Sequence, residues 1–339
     1  MSISTGNQRC AVWGSGRRGT ATCLERIPQY HHHSFSWKQV DFQPSSESIL
    51  IGRLQPHITM SPAEVALLRV NLTLFEAAVH CYNPFFMDYG NNVLYNMKQG
   101  GLANSSLFPG IAATKVVWVK RTLAGSATLR HTILDAEDAR GVTLRGKRMA
   151  VFIRYRAHSR KDVWLAHLTP PFKEVKLKYK NRTYSEGNWL PFVYNDQLFV
   201  TYSLCPHRVL SVNPETGHCQ LAYETVPARC SRFDRGSATG FVDEHGMTVG
   251  VGHHKSSSVW YYHFLFRRLN TPPFEIVDRS ADFRFPVWFN ARPSWDRIQF
   301  CLSMRQVGGS VAMDYSVQDA IALTIHMPRW QYCNFTRWC

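Results

Sequence analysis

Short apolar segments rich in β-branched and aromatic residues recur along most of the chain, each closed by turn residues. They read KVVWVKRT, GKRMAVFIRY, VWLAHLT, QLFVTYS, GFVDEHGMTVGVGHH, VWYYHFLFRR and SVAMDYS. Strands this short and this numerous restrict the fold to an all-β sandwich, barrel or propeller. Internal repetition selects among the three. Five units pair a polar residue and an apolar stretch with a turn and a second hydrophobic strand. They begin at Asn83, Glu137, Asn188, Gly236 and Ile298, with separations of 54, 51, 48 and 62 residues. A propeller blade takes four strands in about 40–50 residues, so each unit fits the inner hairpin of one blade. The expected fold is an all-β, five-bladed β-propeller over residues 65–330. A largely irregular N-terminal arm (1–64) precedes it and a short tail (331–339) follows.

The 339 residues are 45% hydrophobic and 19% charged, which excludes a disordered, collagenous or coiled-coil chain. No stretch approaches the roughly 18 consecutive apolar residues of a membrane span. The first twenty residues lack the apolar core of a signal peptide. Net charge is +15, and 28 of the 39 basic residues are Arg. The charge therefore sits mainly on planar groups that grip anions bidentately, which directs attention to phosphate, carboxylate, nucleic acid or acidic glycan partners. Nine cysteines include no C-x-x-C pair, against a zinc ribbon or thioredoxin-like site. Four N-x-S/T sequons, at Asn71, Asn104, Asn181 and Asn334, lean toward the secretory or Golgi lumen; the absence of a visible leader leans toward the cytoplasm.

Two N-terminal motifs carry less than they spell. Gly14-Ser15-Gly16-Arg17-Arg18-Gly19 matches G-x-G-x-x-G, but a dinucleotide site needs those glycines within a βαβ unit. The continuation breaks at Pro28 with no second strand. The run His31-His32-His33 lacks the separated ligands of a built metal site. No metal or organic cofactor is expected. Ser61-Pro62-Ala63-Glu64 has the N-cap, N1 proline and N3 glutamate of a short helix start.

In a propeller the innermost strands converge on a central channel. The polar residues that open those strands then face one another at one channel mouth: Asn83, Asp138, Asn188, Ser237 and Thr239, with Arg140 and Trp189 beside them. Amides and carboxylates take sugar hydroxyls, and an indole can stack on a pyranose face. Trp189 has an alternative place in the core, as do most of the ten tryptophans.

These residues resemble the five-bladed β-propeller carbohydrate enzymes. They are most similar to inverting β-mannoside phosphorylases and the related β-1,2-mannosyltransferases. Asp135-Ala136-Glu137-Asp138-Ala139-Arg140 is similar to the family's G-x-E-D-P-R stretch, with Ala139 where the family has proline. Tyr82-Asn83-Pro84 resembles the first-blade N-P. Glu186-Gly187-Asn188-Trp189-Leu190-Pro191-Phe192 resembles an E-K-N-W-x-P-F element of eukaryotic and viral propeller proteins described as glycosyltransferases. Gly252-His253-His254 is similar to the fourth-blade G-H, and Tyr315-Ser316-Val317-Gln318-Asp319 to the closing Y-G-x-x-D.

The resemblance implies an enzyme of glycosyl transfer or phosphorolysis, mannoside-type and inverting, with Asp138 as general acid. Phosphorolysis or transfer needs one such carboxyl. Inverting hydrolysis needs a second at about 6.5–9.5 Å, for which Asp319 is the candidate. Asn83, Glu137, Asn188 and Trp189 would meet the glycan. Arg140, Arg235, His253 and His254 would hold inorganic phosphate, a sugar phosphate or a nucleotide sugar. His207-Arg208, on a blade loop, is a lesser candidate.

Two other readings stand beside this one. A propeller that binds a glycan or protein without catalysis uses the same mouth. A nucleic-acid-binding protein would use the basic stripe of residues 145–161, with Lys176, Lys178 and Lys180 alternating on one strand face. No recognition helix or RNP-like motif accompanies that stripe.

Overall fold

The computed structural model describes strand residues within 4–42, then residues 79–87, 92–99, 114–121, 127–155, 160–183, 186–256, 260–285, 298–317 and 321–338. The N-terminal segment holds β1 (Ser4–Thr5), β2 (Gln8–Trp13), β3 (Gly19–Ile27) and β4 (Ser34–Phe42). The first blade is β5 (Val79–Met87), β6 (Asn92–Gln99), β7 (Thr114–Arg121) and β8 (Ala127–Leu134). The second is β9 (Ala136–Leu144), β10 (Lys147–Tyr155), β11 (Lys161–His167) and β12 (Glu174–Lys176). β13 (Lys178–Tyr179) then pairs onto the outer edge of the third blade. That blade comprises β14 (Leu190–Tyr194), β15 (Gln197–Leu204), β16 (His207–Val212) and β17 (His218–Thr225). The fourth holds β18 (Arg235–Val242), β19 (Met247–Lys255), β20 (Tyr261–Leu269), β21 (Ile276–Arg279) and β22 (Asp282–Phe283). The fifth holds β23 (Gln299–Val307), β24 (Ser310–Val317) and β25 (Ile321–Pro328), followed by helix α1 (Arg329–Thr336).

This is the five-bladed propeller expected from the repeats. The strands that open the five repeat units, β5, β9, β14, β18 and β23, are the innermost of their blades, and each packs against the next around the ring. β23 returns to β5, and a parallel pairing of Ile321 with Cys81 joins the last sheet to the first. Middle strands such as β10 are apolar on both faces because a neighbouring blade covers each side: Met149 to Ile153 are all buried. The core is correspondingly divided into inter-blade layers. Ile153, Val163, Trp189, Leu198 and Val200 pack between the second and third blades, and Val249, Val251, Met304 and Met313 between the fourth and fifth.

Beyond the ring, β4 pairs in parallel with β22, so the N-terminal strands extend the fourth-blade sheet. At the other terminus, Tyr332 and Trp338 are buried in the same core layer as the fourth and fifth blades. Most of the glycine motif at 14–19, the histidine run 31–33 and the helix start at Ser61 lie outside the described residues.

One local device recurs where the inner strands begin. Tyr82 pairs with Asn96 but Phe85 with Leu94, so Asn83 and Pro84 bulge out of β5. Arg140 pairs with Val151 and Glu137 with Ile153, so Asp138 and Ala139 bulge from β9. Ser237 in β18 and Leu302 in β23 are extra residues in the same sense. A bulge bends the strand and re-aims a side chain. Asp138 takes a left-handed φ of 55°, and Asn188, just before β14, one of 62°. Asp and Asn are among the residues that tolerate this conformation.

Candidate active site

Asp138 is held from the neighbouring blade. Its backbone N–H donates to Asn96 Oδ1 at 3.0 Å, and Asn96 Nδ2 donates to Asp138 Oδ1 at 3.2 Å. Asn96 lies on β6 and is 1% exposed. A buried amide with both ends engaged cannot swing, so the bulge and the amide together set the direction of the carboxylate. Sequence reasoning missed Asn96. It sits on a second strand, outside every motif, and only the packing of the first blade on the second brings it to Asp138.

Arg140 joins three blades. Its Nε donates to the Ser237 carbonyl at 2.8 Å, Nη1 to the Asp138 carbonyl at 2.9 Å and Nη2 to Asn188 Oδ1 at 3.4 Å. Burial lowers its pKa to about 10, against the pull of Asp138, so it remains charged at neutral pH. Its guanidinium also lies 5.8 Å from the centre of the Phe300 ring. A buried guanidinium donating to three inner strands braces the ring. The same bonds show that the starts of β9, β14 and β18 share one end of the channel.

Close approach supports that bracing. A Cβ on Gly236 would lie 2.8 Å from the Asn188 carbonyl oxygen and from Leu190 Cγ. Only glycine lets β18 come this near β14.

His253 lies beside the brace. Its Nδ1 is 2.8 Å from Ser237 Oγ, and the ring stacks on Tyr261 and meets Phe300 edge-on. Burial, reinforced by the charge or proximity of His263, Lys255, Arg140 and His254, holds its pKa well below the ordinary value. The ring is a buried hydrogen-bonding group of the channel wall. His254 faces elsewhere: Nδ1 is 3.7 Å from Asp234 and Nε2 is 3.6 Å from Asp282. Both carboxylates are nearly buried, so the ring has its neighbours within its own blade.

Trp189 is a core residue. It is 2% exposed, packs between the second and third blades, and donates its indole N–H to Glu186 Oε2 at 3.1 Å. No sugar can stack on a ring closed off this way. Glu186 also accepts from the Thr183 backbone N–H and hydroxyl and from the Tyr202 hydroxyl. The Glu186-to-Trp189 spacing thus encodes a structural knot, with the carboxylate three residues before the indole it anchors.

The remaining candidates are placed as follows. Asn188 lends its amide oxygen to Arg140. Glu137 is half-buried on β9, opposite Ile153. Asn83 lies in the β5 bulge, its side chain outside the described residues, and Asp319 is wholly outside them. Arg235 opens β18 and is exposed. His207 is buried, and neither ring nitrogen has a hydrogen-bond partner.

The basic stripe is partly neutralised by its neighbours. Lys176 pairs with Asp162 at 2.8 Å, and Arg154 pairs with Glu174 at 2.8 Å while lying over Trp164. Arg182 also pairs with Asp162. Among the described residues, no group of three His, Cys, Asp or Glu is arranged to hold a metal ion, and no helix is long and apolar enough to cross a membrane.

No protein-family model and no curated protein matches the chain. Solved structures do. A β-1,2-mannobiose phosphorylase from Listeria innocua superposes with a TM-score of 0.54 at 10% identity, covering 76% of this chain and 92% of its own. A hypothetical protein from Leishmania major gives 0.53 at 12%, covering 79% and 94%. A member of the GH130 family of mannoside phosphorylases, described among glycoside hydrolases that target β-1,2 mannosidic linkages in Candida mannan, gives 0.53 at 11%, covering 74% and 84%. At these identities the likeness establishes the fold: the chain is a five-bladed propeller of the architecture used by mannoside phosphorylases.

Proposed function

We propose that the chain is a carbohydrate-active enzyme that transfers or phosphorolyses a mannoside-type glycosidic bond with inversion, Asp138 acting as general acid. The observation that carries this reading is the placement of Asp138. It stands on a bulge at the end of the channel where the first four blades meet, aimed by a buried amide. Fold likeness to mannoside phosphorylases supports the choice of substrate class. The protonated carboxyl would donate to the departing glycosidic oxygen while phosphate attacks the anomeric carbon from the opposite face. In the synthetic direction the carboxylate would take the proton from an acceptor hydroxyl. Neither direction needs a second carboxylate. Inverting hydrolysis would need one, and Asp319 remains the residue proposed for it.

The engagement of Arg140 and His253 within the wall favours a second reading, a propeller that binds a glycan without turnover. The two separate in a product screen that offers mannose-containing acceptors with inorganic phosphate, hexose 1-phosphates and nucleotide sugars. Product formation that disappears in Asp138→Asn supports the enzyme. Tight glycan binding with no product from any donor supports the binding module.

We also propose that the chain folds in an oxidising, secretory-type compartment. The disulfide between Cys205 and Cys230, a further disulfide at Cys333 and the exposed sequon turn at Asn181 support this placement.

A further inference from the structure

Arg140 and His253 are engaged within the channel wall, so a phosphate-bearing donor needs another contact. Residues 226–235, Val-Pro-Ala-Arg-Cys-Ser-Arg-Phe-Asp-Arg, join β17 to the first residue of β18. Arg229, Arg232 and Arg235 are all exposed, and among the described residues none of them meets a carboxylate. The segment's single acid, Asp234, is turned inward. It is 2% exposed, accepts from the Ser231 backbone N–H at 2.9 Å and faces Arg279 and His254. Three positive groups thus point outward while the negative one is buried beneath them.

Two features hold the segment in shape. Cys230 is bonded to Cys205, which ends the β15–β16 corner of the third blade. Arg235 Nη1 donates to the carbonyls of Arg232 at 2.8 Å and Asp234 at 3.0 Å, which ties the guanidinium to the segment's own backbone. Phe233 is 58% exposed, with the Arg232 guanidinium 4.8 Å from its ring centre. An exposed large aromatic beside free guanidinium groups marks an interaction site for a ligand that is anionic at one end and ringed at the other. The segment also lies at the correct end of the ring. Arg235 is two residues from Ser237, whose carbonyl receives Arg140, which in turn holds the Asp138 carbonyl.

We propose that this disulfide-tied segment is the anion-docking element of the site. Its arginines grip the phosphate group of a phosphate-bearing donor, and Phe233 packs on the ring that the phosphate carries. The inference rests on the glycosyl-transfer reading. Guanidinium and phosphate form paired, charge-assisted hydrogen bonds, and the Cys205–Cys230 bond reduces the ordering that binding would otherwise require.

Calorimetric titration of the full chain at low salt tests it with inorganic phosphate, mannose 1-phosphate and GDP-mannose as probes. Wild-type protein is expected to bind at least one ring-bearing probe more tightly than inorganic phosphate. Arg229→Gln/Arg232→Gln should weaken that binding by about tenfold or more, equivalent to about 1.4 kcal/mol. Phe233→Ser should lower only the ring-bearing affinities. Cys205→Ser/Cys230→Ser should weaken all three, and Lys178→Gln/Lys180→Gln, on the outer edge of the third blade, should change none. Equal binding by wild type and the arginine variant, an equal loss in the lysine control, or no binding of any probe overturns the proposal. Its failure is distinguishable from that of the catalytic reading: Asp138→Asn should keep probe binding, so binding and turnover report separately.

Discussion

Asn96 and Asp138 hold each other across the boundary between the first and second blades, the amide oxygen taking the aspartate backbone N–H and the amide nitrogen donating to its carboxylate. The pairing couples a strand distortion to a functional direction. Without the amide, the bulged backbone of β9 would lose the acceptor of its N–H and the carboxylate the donor at its Oδ1. Asn96 is thus a positioning residue for Asp138.

Replacing Asn96 by Ala should lower kcat of the glycosyl-transfer reaction by about tenfold to a hundredfold, because small misplacements of a reacting group cost that much. The donor KM should change little. Asn96→Asp, which keeps the shape but loses the amide donor, should also shift the alkaline limb of the phosphorolysis pH–rate profile upward, since a second carboxyl beside Asp138 disfavours ionisation. A profile unchanged in both variants would show that the amide does not orient the carboxyl.

Arg140→Met should destabilise the fold by about 2–4 kcal/mol, read from urea unfolding midpoints. The substitution keeps the apolar stem but strands three buried acceptors: the carbonyls of Ser237 and Asp138 and the Asn188 amide oxygen. Arg140→Lys should recover only part of the loss, because an ammonium cannot reproduce the planar fork that reaches three strands. A near-neutral Arg140→Met variant would mean the guanidinium faces the channel instead.

Gly236→Ala should cost about 1–3 kcal/mol, as overpacked sites do. The added methyl would meet the Asn188 carbonyl and the Leu190 side chain at once. The observable is a lowered denaturation midpoint together with weakened activity, since the same displacement moves Ser237 from Arg140.

Three buried histidines, His207, His253 and His263, make stability depend on pH. His207 and His263 both have folded pKa values near 3, lowered first by burial; Arg268 acts in the same direction on His207, and His254 and Arg284 on His263. An unfolded histidine titrates near 6.5. Above that pH neither state carries the proton, and below it only the unfolded chain takes it up. Stability should therefore fall as pH drops from about 6.5 toward 3, by up to about 1.4 kcal/mol per pH unit for each ring. Between pH 6.5 and 5 His207 and His263 together should cost about 3 kcal/mol. Urea midpoints across that range check it, and His263→Phe should reduce the slope; a flat dependence in the wild type would contradict it.

The ring was legible in the sequence because five units repeat an opening stretch, a turn and a second hydrophobic strand at similar spacing, from Asn83 to Ile298. The placement of Asp138 and Asn188 was legible for the same reason: both stand where the inner strands open. What the pattern could not supply was partnership across blades. The ninety-seven residues between Arg140 and Ser237 hid a hydrogen bond that turns an expected ligand contact into a brace. Trp189 suited the core or a sugar face by its type alone, and its burial with Glu186 closing on its indole places it in the core. Asn96 carried no local signal at all.

The central claim is that Asp138 transfers a proton during glycosyl transfer, and it is tested most directly by single-turnover measurement of mannosyl transfer or phosphorolysis with wild-type protein and Asp138→Asn under the same donor and acceptor. The account predicts turnover in the wild type and a loss of about a hundredfold or more in the variant, with glycan and phosphate affinities preserved. Equal turnover by the two proteins would contradict it.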